Sequence, residues 1–575
     1  MITLTIDNQK VEIEEGKTII DAAKKIGIDI PTLCYLKDIN QIGACRMCLV
    51  EVEGAKGLVT SCVTPVAEGM IVKTNTSEVM DARRINLDLL LSNHRRECLT
   101  CVRNKNCELQ NLSELFSMTD LEYEGERREE KIDDASPSIV RDPSKCILCG
   151  RCISVCKNIQ RIGAIDNTNR GIECKISTVG DKGLDKVNCV MCGQCIVACP
   201  VGAIYEKDST KEVWEKIKDP DTHVVVQTAP AVRVALGEEF DMPIGTNVTK
   251  KMVAALKRMG FDKVFDTNTA ADITIMEEGT ELINRIKNNG TLPLITSCSP
   301  GWVKYAENNY PELLDNLSTC KSPHMMFGAL LKTYYAEKQN IDPAKIFVVS
   351  VMPCVAKKFE RQREEMIQDV DAVITTRELA KMIKQSNIEF TKLPDEDFDN
   401  PMGDATGAGV IFGTTGGVME AALRTVAEIL TGQELEKIEF NSVRGEKGIK
   451  KATVKIGDND IKVVVAHGLG NAKKVMDEIK KGKVDYQFVE IMACPGGCVT
   501  GGGQPIKNAK ERLEEDVRKL RAKSIYSADK NTKLRKSHEN PIVQAIYKDY
   551  LGEPGGHRAH ELLHTHYHSR EKYDI

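Results

Sequence analysis

Cysteine spacing is the feature of this 575-residue chain that points most directly to chemistry. Nineteen of the 21 cysteines lie in clusters whose spacing changes along the sequence. Thiols at two-residue gaps, in a chain whose first 30 residues lack a signal-peptide pattern, indicate metal ligands rather than disulfides. Four such motifs in a row predict a protein that moves electrons through iron–sulfur centres.

The first two motifs differ in the types of ligand they offer. The first fits a plant-type 2Fe–2S site, or alternatively structural zinc, and comprises Cys34, Cys45, Cys48 and Cys62. The second could hold zinc or a 4Fe–4S cluster and comprises His94, Cys98, Cys101 and Cys107. Its place between two iron–sulfur modules favours the 4Fe–4S cluster, whose potential a neutral imidazole ligand would raise.

Two near-identical blocks follow, with the spacing Cys-x2-Cys-x2-Cys-x3-Cys that is specific to bacterial ferredoxins. In such modules the fourth cysteine of each block binds the other cluster. One 4Fe–4S cluster is therefore expected at Cys146, Cys149, Cys152 and Cys199. The other is expected at Cys189, Cys192, Cys195 and Cys156. Cys174 lies outside the pattern and is predicted to be a buried structural thiol.

Three apolar runs in the C-terminal half each lead to a cysteine. They are residues 294–296 before Cys298, 346–351 before Cys354, and 487–492 before Cys494 and Cys498. Ligands of α/β sheets bind beyond the carboxyl ends of strands, so these cysteines are expected at one sheet edge around a single metal centre. Three unrelated core cysteines are the alternative. Glycines at 496–497 and 501–503 would let the backbone approach a bulky inorganic group.

The hydrophobic pattern predicts the elements that position these cysteines. Residues 2–6 and 11–13 alternate apolar and polar, which predicts a hairpin, and 18–26 has a helical period that ends at Gly27. This setting indicates a β-grasp module. Beyond residue 209, extended runs such as 224–226 alternate with helical patterns such as 250–259, which indicates α/β layers.

Composition excludes two classes of partner. A net charge of −5 argues against nucleic-acid binding, which needs a basic face. The sequence contains no stretch of about 18 apolar residues, so no membrane span is predicted. Hydrophobic residues at 41% and charged residues at 28% are typical of soluble globular proteins, and a reducing cytoplasmic location is expected.

Three long motifs resemble the signature motifs of iron-only (FeFe) hydrogenases. They are Thr296-Ser297-Cys298-Ser299-Pro300-Gly301-Trp302, Met352-Pro353-Cys354-x-x-Lys357-x-x-Glu360, and Glu490-x-Met492-Ala493-Cys494-x-x-Gly497-Cys498-x-x-Gly501-Gly502-Gly503-x-Pro505. The resemblance covers essentially the whole chain, including the N-terminal line of clusters of the large clostridial members. It implies reversible reduction of protons to H2 at an H-cluster. That cofactor is a 4Fe–4S cube joined through a cysteine to a two-iron unit carrying CO, cyanide and a bridging azadithiolate.

The resemblance implies roles for the residues of these motifs. Cys354, Cys494 and Cys498 resemble the cube ligands, and Cys498 resembles the bridge to the two-iron unit. Lys357 resembles the lysine that holds a cyanide, since an ammonium suits an anionic acceptor. The pocket around the two-iron unit would be lined by Met352, Met492, Pro230 and Phe412.

The first motif departs from the common family form, which has two adjacent cysteines. In that form the first cysteine passes protons and the second binds the cube, whereas Ser299 stands second here. Either Ser299 supplies an oxygen ligand, or Cys298 becomes the ligand and leaves proton passage to a serine or water. The usual preference of iron–sulfur cubes for thiolates favours Cys298.

The resemblance also implies a proton path through Cys298, Glu278, Ser318, Glu281 and Arg285. Two carboxylates three residues apart share one face of a helix, and burial can raise a carboxyl pKa into the range useful for proton relay. Two solvated surface acids are the alternative. Cys320 and the C-terminal histidines are predicted to be structural; the histidines are His557, His560, His564, His566 and His568.

The whole layout implies a fold and a set of partners. The fold class is multidomain α+β and α/β: a β-grasp 2Fe–2S ferredoxin-like domain (1–78), a small 4Fe–4S domain with one histidine and three cysteine ligands (79–120), a bacterial-type 2×4Fe–4S ferredoxin domain (137–208), and an α/β H-cluster catalytic domain with a small-subunit-like C-terminal segment (209–575). Its cofactors would be one 2Fe–2S cluster, three accessory 4Fe–4S clusters and the H-cluster.

Expected partners are maturation proteins for the two-iron unit and an electron partner. That partner is ferredoxin, or NADH-binding flavin iron–sulfur subunits of an NAD-linked, electron-bifurcating heteromultimer. The chain has no dinucleotide-binding motif, so an NAD site would lie on another subunit. The alternatives are an electron-transfer subunit of an NADH dehydrogenase-like complex, an H2 sensor, or an iron–sulfur assembly protein. The complete second and third motifs, with Lys357, Met352 and Met492, argue against all three.

Overall fold

A sheet with one helix packed on it forms the N-terminal module in the computed structural model, which describes residues 1–126, 130–403, 405–435, 438–445, 447–457 and 459–573. Its elements are β1 (Ile2–Ile6), β2 (Gln9–Ile13), α1 (Ile19–Lys25), β3 (Leu49–Val52), β4 (Val59–Thr60) and β5 (Ile71–Lys73). The strand order is β2-β1-β5-β3-β4, with β1 and β2 antiparallel and β1 and β5 parallel. The predicted hairpin, helix and β-grasp arrangement are confirmed.

The ends of α1 follow from its sequence. The backbone N–H of Thr18 donates to the Asp21 carboxylate at 3.0 Å, which is the capping-box contact at a helix N-terminus. At the other end Gly27 adopts a φ of +76°, a left-handed conformation that suits the residue after a helix.

The next two modules are built from short elements around the cysteine loops. These elements are α2 (Ser77–Asn93), α3 (Glu108–Leu115), β6 (Ile139–Arg141), α4 (Arg151–Ser154), β7 (Asp166–Thr168), β8 (Lys175–Ser177), α5 (Gln194–Ala198) and β9 (Ile204–Glu206). β6 pairs with β9, and β7 with β8, both antiparallel. Helices α4 and α5 each follow a left-handed glycine, Gly150 and Gly193, so the two cysteine blocks fold alike.

The C-terminal domain alternates strands and helices. Its elements are α6 (Thr210–Ile217), β10 (His223–Thr228), α7 (Thr249–Arg258), β11 (Lys263–Asp266), α8 (Asn268–Lys287), β12 (Leu294–Ile295), α9 (Pro300–Asn309), α10 (Pro323–Leu330), α11 (Ala336–Gln339), β13 (Ile346–Met352), α12 (Ala356–Glu360), β14 (Ala372–Thr375), α13 (Thr376–Gln385), α14 (Gly407–Ile411), α15 (Gly417–Thr431), β15 (Ile449–Ile456), β16 (Asn459–His467), α16 (Leu469–Lys480), β17 (Phe488–Met492), α17 (Ala509–Glu514), α18 (Val517–Asn531), α19 (Pro541–Ile546) and α20 (His557–Leu563). Among the described helices, none has the length and apolar character that a bilayer crossing requires.

Two separate sheets carry the cysteine-bearing strands, which corrects the prediction of one shared sheet edge. β13 lies in a parallel sheet of order β11-β10-β13-β14, whereas β12 and β17 are neighbours in a sheet of order β12-β17-β16-β15. An apolar run predicts that a strand is buried but not which strand it pairs with. The carboxyl ends of β13 and β17 nevertheless face a common cavity.

Candidate metal centres and active site

The N-terminal thiols form two touching pairs. Cys34 hydrogen-bonds Cys45, and Cys48 hydrogen-bonds Cys62. The Cys34 amide also donates to Cys45 Sγ at 3.3 Å. The hydrogen bond from Cys45 lowers the pKa of Cys34 to about 6, which favours its thiolate. Such a donor set fits a 2Fe–2S cluster.

His94 is suited to metal binding by its burial. Burial, followed by the nearby Lys145 ammonium, lowers the pKa of His94 to about 4, so the imidazole is neutral. Its Nδ1 atom is buried without a hydrogen-bond partner among the described residues. A neutral imidazole with a free nitrogen suits a metal ligand. Cys101 Sγ packs against Gly202, since a Cβ added to Gly202 would lie only 2.6 Å from that sulfur.

The ferredoxin-like thiols gather in the two crossed sets that the sequence predicts. Cys146, Cys149, Cys152 and Cys199 line a cavity of about 30 Å³. In the other set, burial raises the pKa of the Cys195 thiol, and the neighbouring thiols of Cys192, Cys189 and Cys156 raise it further. Cys174 was predicted to be buried but is only partly buried.

The two N-terminal modules contact the first ferredoxin block through side-chain hydrogen bonds to backbone carbonyls and through an ion pair. Asn40 Nδ2 donates to the carbonyl oxygens of Cys34, at 2.8 Å, and Cys149, at 3.0 Å. Arg151 donates to Tyr35 O at 2.9 Å and forms an ion pair with Glu108 at 2.7 Å. Because Glu108 directly follows Cys107, these contacts bring three cluster motifs together.

A cavity of about 90 Å³ lies at the ends of β13 and β17. The residues predicted for the catalytic centre line it, namely Cys298, Ser299, Cys354, Cys494, Cys498, Lys357, Met352, Met492, Pro230 and Phe412. Cys192 and His324 also line the cavity, although neither was predicted to belong to the catalytic centre. Cys192 belongs to the second ferredoxin block, so that block reaches the wall of the cavity.

The thiols of this cavity interact with one another. Burial, followed by the nearby Cys354 thiol, raises the pKa of Cys498 to about 12. Burial also raises the pKa of Cys494, followed by the effects of Cys354 and Cys192. Buried thiols lose their protons when a metal cation binds to the sulfur atoms, so this donor set fits an iron–sulfur cube.

The glycines near Cys498 have two kinds of surroundings: Gly497 and Gly501 line the cavity, as predicted, whereas Gly502 packs against protein backbone. A Cβ on Gly502 would lie 2.5 Å from Cys192 O and 2.7 Å from the Cα of Gly193, and one on Gly501 would collide with Pro353 O. Gln194 Nε2 also donates to Thr500 O at 3.0 Å. The missing side chains therefore let the ferredoxin-like module dock closely beside the cavity.

Lys357 is the cation of the cavity. Its Nζ donates to Cys298 O at 3.1 Å and to Glu360 Oε2 at 2.7 Å. Burial alone would raise the pKa of Glu360, but Lys357 and the hydrogen bond with His324 hold it at about 2. Burial, then Lys357, lowers the pKa of His324 to about 4, so its ring is neutral.

Cys298 and Ser299 occupy different surroundings although both line the cavity. Burial raises the pKa of Cys298 well above its usual value, and the next contributions come from Glu278 and Lys357. Ser299 Oγ accepts a hydrogen bond from the Ala493 N–H at 3.3 Å, beside Cys494. The Glu278 carboxyl group therefore acts electrostatically on the Cys298 thiol, whereas the hydroxyl of Ser299 contacts the third motif.

Four of the five residues predicted for proton passage are connected by hydrogen bonds, and the fifth, Cys298, is affected electrostatically by Glu278. Glu278 is buried on α8 and hydrogen-bonds Ser318, whose Oγ donates to Glu281 Oε2 at 2.8 Å. Arg285 donates to Glu281 Oε1 at 2.6 Å. Burial, followed by Glu281, raises the pKa of Glu278 to about 8. A carboxyl group with that pKa can both donate and accept protons near neutral pH.

Glu490 has a role that the sequence analysis missed. Its carboxylate accepts the N–H groups of Gly416 at 2.6 Å and Met419 at 2.8 Å, at the first turn of α15. A buried anion at a helix N-terminus is stabilised by the helix dipole. This contact ties α15 to β17, and the first residue of the third motif was its signal.

Comparison with known families gives matches along the chain. Residues 222–502 match the C-terminal domain of the iron-only hydrogenase large subunit, and 515–570 match the iron hydrogenase small subunit. Residues 1–77 match a 2Fe-2S iron–sulfur cluster binding domain, and 83–121 match the NADH-ubiquinone oxidoreductase-G iron–sulfur binding region. Residues 139–158 and 184–205 match a 4Fe-4S binding domain.

Similar proteins extend over the full length. A subunit of the NADP-reducing hydrogenase of Solidesulfovibrio fructosivorans is 49% identical over 100% of both chains. Iron hydrogenase 1 of Clostridium pasteurianum is 45% identical over 99% of this chain and 100% of its own. The apo [FeFe]-hydrogenase of Chlamydomonas reinhardtii superposes with a TM-score of 0.56 at 42% identity, covering 63% of this chain and 99% of that one.

Proposed function

The chain belongs to the iron-only hydrogenases, and on that premise we propose how its residues carry out 2H⁺ + 2e⁻ ⇌ H2. Its cofactors are one 2Fe–2S cluster, three accessory 4Fe–4S clusters and the H-cluster. When bound, the H-cluster supplies the iron atoms at which the H–H bond forms and breaks. The observation that carries the proposal is the single cavity that collects Cys354, Cys494, Cys498 and Lys357.

Electrons pass from the N-terminal modules to the cavity through the ferredoxin-like module. The cluster motifs that contain Cys34 and His94 both contact the ferredoxin block that contains Cys149. The set of thiols that contains Cys192 lies next to the cavity. The proton/hydrogen couple shifts by about 59 mV per pH unit and so lies near about −0.41 V at pH 7. Plant-type clusters lie near about −0.4 V, so the reaction can run in both directions. The domain boundaries 1–78, 79–120, 137–208 and 209–575 remain part of this proposal.

Cys354, Cys494 and Cys498 would hold the cube, Cys498 would join it to the two-iron unit, and Ser299 would supply the fourth ligand. The hydrogen bond of Ser299 beside Cys494 supports this position for Ser299, and the electrostatic effect of Glu278 on Cys298 supports a role for that thiol in passing protons. This assignment uses the first of the two alternatives that the sequence leaves open. Met352, Met492, Pro230 and Phe412 provide the apolar wall of the pocket.

Replacing Ser299 with cysteine tests the fourth ligand. Replacing an oxygen ligand with a thiolate should shift the reduction potential of the cube and change its electron paramagnetic resonance spectrum, with H2 turnover retained. Ser297→Cys is the matched control, because Ser297 Oγ donates to Cys320 O at 2.8 Å instead. An unchanged spectrum and potential in Ser299→Cys would remove Ser299 from the ligand set.

Protons move between solvent and the cavity along Glu281, Ser318, Glu278 and Cys298. Glu278 holds the proton nearest the thiol of Cys298, and Ser318 connects it to Glu281. Arg285 is a positioning residue, since it fixes Glu281 and also donates to the carbonyl oxygens of Asp315 and Leu317 at 2.9 Å.

The electron partner is a separate subunit or protein. The relative from Solidesulfovibrio fructosivorans is named an NADP-reducing hydrogenase subunit, and residues 83–121 match a region of NADH-ubiquinone oxidoreductase. We therefore favour a heteromultimer with flavin iron–sulfur subunits that bind a nicotinamide nucleotide, with free ferredoxin as a second donor. A cytoplasmic setting fits cysteines that must stay reduced to bind clusters.

Infrared spectroscopy tests the function itself. After maturation the purified chain should evolve H2 from a reduced viologen and show stretching bands of CO and cyanide. An iron-replete protein without those bands and without H2 would support only electron transfer.

Isolating the native assembly tests the partner. Nicotinamide-dependent H2 turnover should copurify with this chain and be lost when the flavin subunits are separated. A lone chain that is fully active with reduced ferredoxin alone would contradict the heteromultimer.

A further inference from the structure

Cys320 and His564 were predicted to be structural, and both lie beside the proton path. Their backbones form an isolated antiparallel bridge. Lys321 N donates to Leu563 O at 2.8 Å, and Thr565 N donates to Thr319 O at 2.7 Å. The segment after α20 is therefore fixed against the loop that carries Ser318.

Three different donor atoms meet at this contact. A carboxylate oxygen of Glu281, Sγ of Cys320 and a ring nitrogen of His564 all lie within 4.8 Å of one another. Cys320 and His564 are buried, and Glu281 is partly buried. Carboxylate, thiolate and imidazole together form a donor set typical of Zn²⁺, with bonds of about 2.0–2.3 Å. Small side-chain shifts would bring the donors to that spacing.

The electrostatics of this region favour a cation. Burial raises the pKa of the Cys320 thiol, and Glu281, Glu278 and Glu277 raise it further, because all three carboxylates project from α8 towards it. His564 Nε2 contacts Glu277 Oε2 at 3.0 Å, and His564 Nδ1 contacts the Thr319 hydroxyl at 2.7 Å. A divalent ion would lie beside the carboxylates of Glu277 and Glu281, the second of which already pairs with Arg285 at 2.6 Å.

His560 supplies a route to this cluster from solvent. Its ring is stacked on the ring of His564, with centroids 4.6 Å apart, and His560 itself is exposed. An incoming cation can therefore meet an exposed imidazole before it reaches the buried one.

We propose that Glu281, Cys320 and His564 form an inhibitory site for a divalent cation of the zinc class. Binding exchanges the Cys320 thiol proton for the metal and releases that proton to solvent, while His564 gives up one of its two hydrogen bonds. The ion takes the Glu281 carboxylate from Ser318 and so interrupts proton passage. The inhibitory effect rests on the proposed function, whereas the binding does not.

Zinc binding is tested on the cluster-loaded chain with ZnCl2. Equilibrium dialysis should find one additional zinc, and X-ray absorption at the zinc edge should show one sulfur at about 2.3 Å with nitrogen or oxygen ligands at about 2.0 Å. Cys320→Ala and His564→Gln should each weaken binding at least about tenfold. Cys174→Ala is the matched control, since it removes a thiol outside every cluster set, and should bind as the unaltered chain does.

Three binding results would overturn the site. They are no added zinc, zinc bound by several sulfurs with release of iron, or unchanged affinity in both Cys320→Ala and His564→Gln. Iron content and visible spectra of each variant establish that its clusters are in place.

Turnover then tests the regulatory part. Zinc should lower viologen-driven H2 evolution in the unaltered chain, reversibly on adding a chelator, and inhibit each variant less relative to that variant's own zinc-free rate. Zinc bound with the expected ligands but without loss of rate would overturn inhibition. A chain that makes no H2 without zinc would refute the proposed function, while dialysis would still decide the site.

Discussion

Replacing Glu278 with glutamine should lower H2 evolution and uptake by about 100- to 1000-fold, the range typical of a lost proton-transfer group. Glu278 is 2% exposed, hydrogen-bonds Ser318 and acts on the thiol of Cys298. Glutamine keeps the size and hydrogen bonding of the side chain but cannot exchange a proton. Viologen-coupled assays in both directions should show the loss, with iron content and CO and cyanide bands unchanged.

The same carboxyl group predicts the pH dependence of each direction. Because burial raises the pKa of Glu278 to about 8, the group is protonated below that pH and ionised above it. Evolution needs the proton donor and should fall as pH rises through about 8, whereas uptake needs the ionised form and should increase over the same range. Residual activity in Glu278→Gln should lack this inflection.

Glu277→Gln is the matched control for this experiment. The Glu277 carboxylate lies one residue earlier on α8 and accepts hydrogen bonds from Gly555 N–H at 2.8 Å and from Tyr547, away from the cavity. It should keep most of the activity and the pH inflection. Equal losses in the two variants would indicate a general disturbance of α8 and count against a relay through Glu278.

Groupings of cysteines that depend on local spacing could be predicted from the sequence. The two cysteine blocks of the ferredoxin module gather in crossed sets, as their spacing predicts, because each block is one loop and one helical turn. The hairpin of β1 and β2 and the helix α1 follow from short-range periodicity and capping in the same way. Local chemistry determines these features, so a single sequence suffices.

Features that depend on distant pairing could not be predicted. Nothing in residues 346–352 shows that β13 pairs with β10 and β14 in one sheet while β12 and β17 pair in another. The glycines at 501–503 suggested room for a cofactor, but only Gly501 lines the cavity, and the space beside Gly502 is taken by the backbone of Cys192 and Gly193. His324 lies in a helix with no metal-binding spacing, and only tertiary packing places it against Glu360, at 2.7 Å.

Replacing Lys357 with methionine should lower turnover in both directions by about 1000-fold or more, at the upper end for loss of one preorganised electrostatic contact. Methionine preserves the length and apolar stem of the side chain but removes the ammonium, which is suited to an anionic acceptor such as cyanide. The CO and cyanide bands should be lost or strongly weakened, while the resonance signals of the accessory clusters persist. Intact bands and activity would exclude Lys357 from holding the two-iron unit.

Two further variants separate charge from fit at this position. Lys357→Arg keeps the charge, but its planar guanidinium does not fit the space between Cys298 O and Glu360. It should therefore restore the low pKa of Glu360 without restoring turnover.

Lys358→Met removes the adjacent buried ammonium, which contacts Glu378 at 2.9 Å and does not line the cavity. It should lower thermal stability and leave the infrared bands of the folded protein unchanged, because its loss leaves a buried carboxylate unpaired outside the site. If Lys358→Met removed the bands as completely as Lys357→Met, the effect would come from a disturbed α12 rather than from the cation in the cavity.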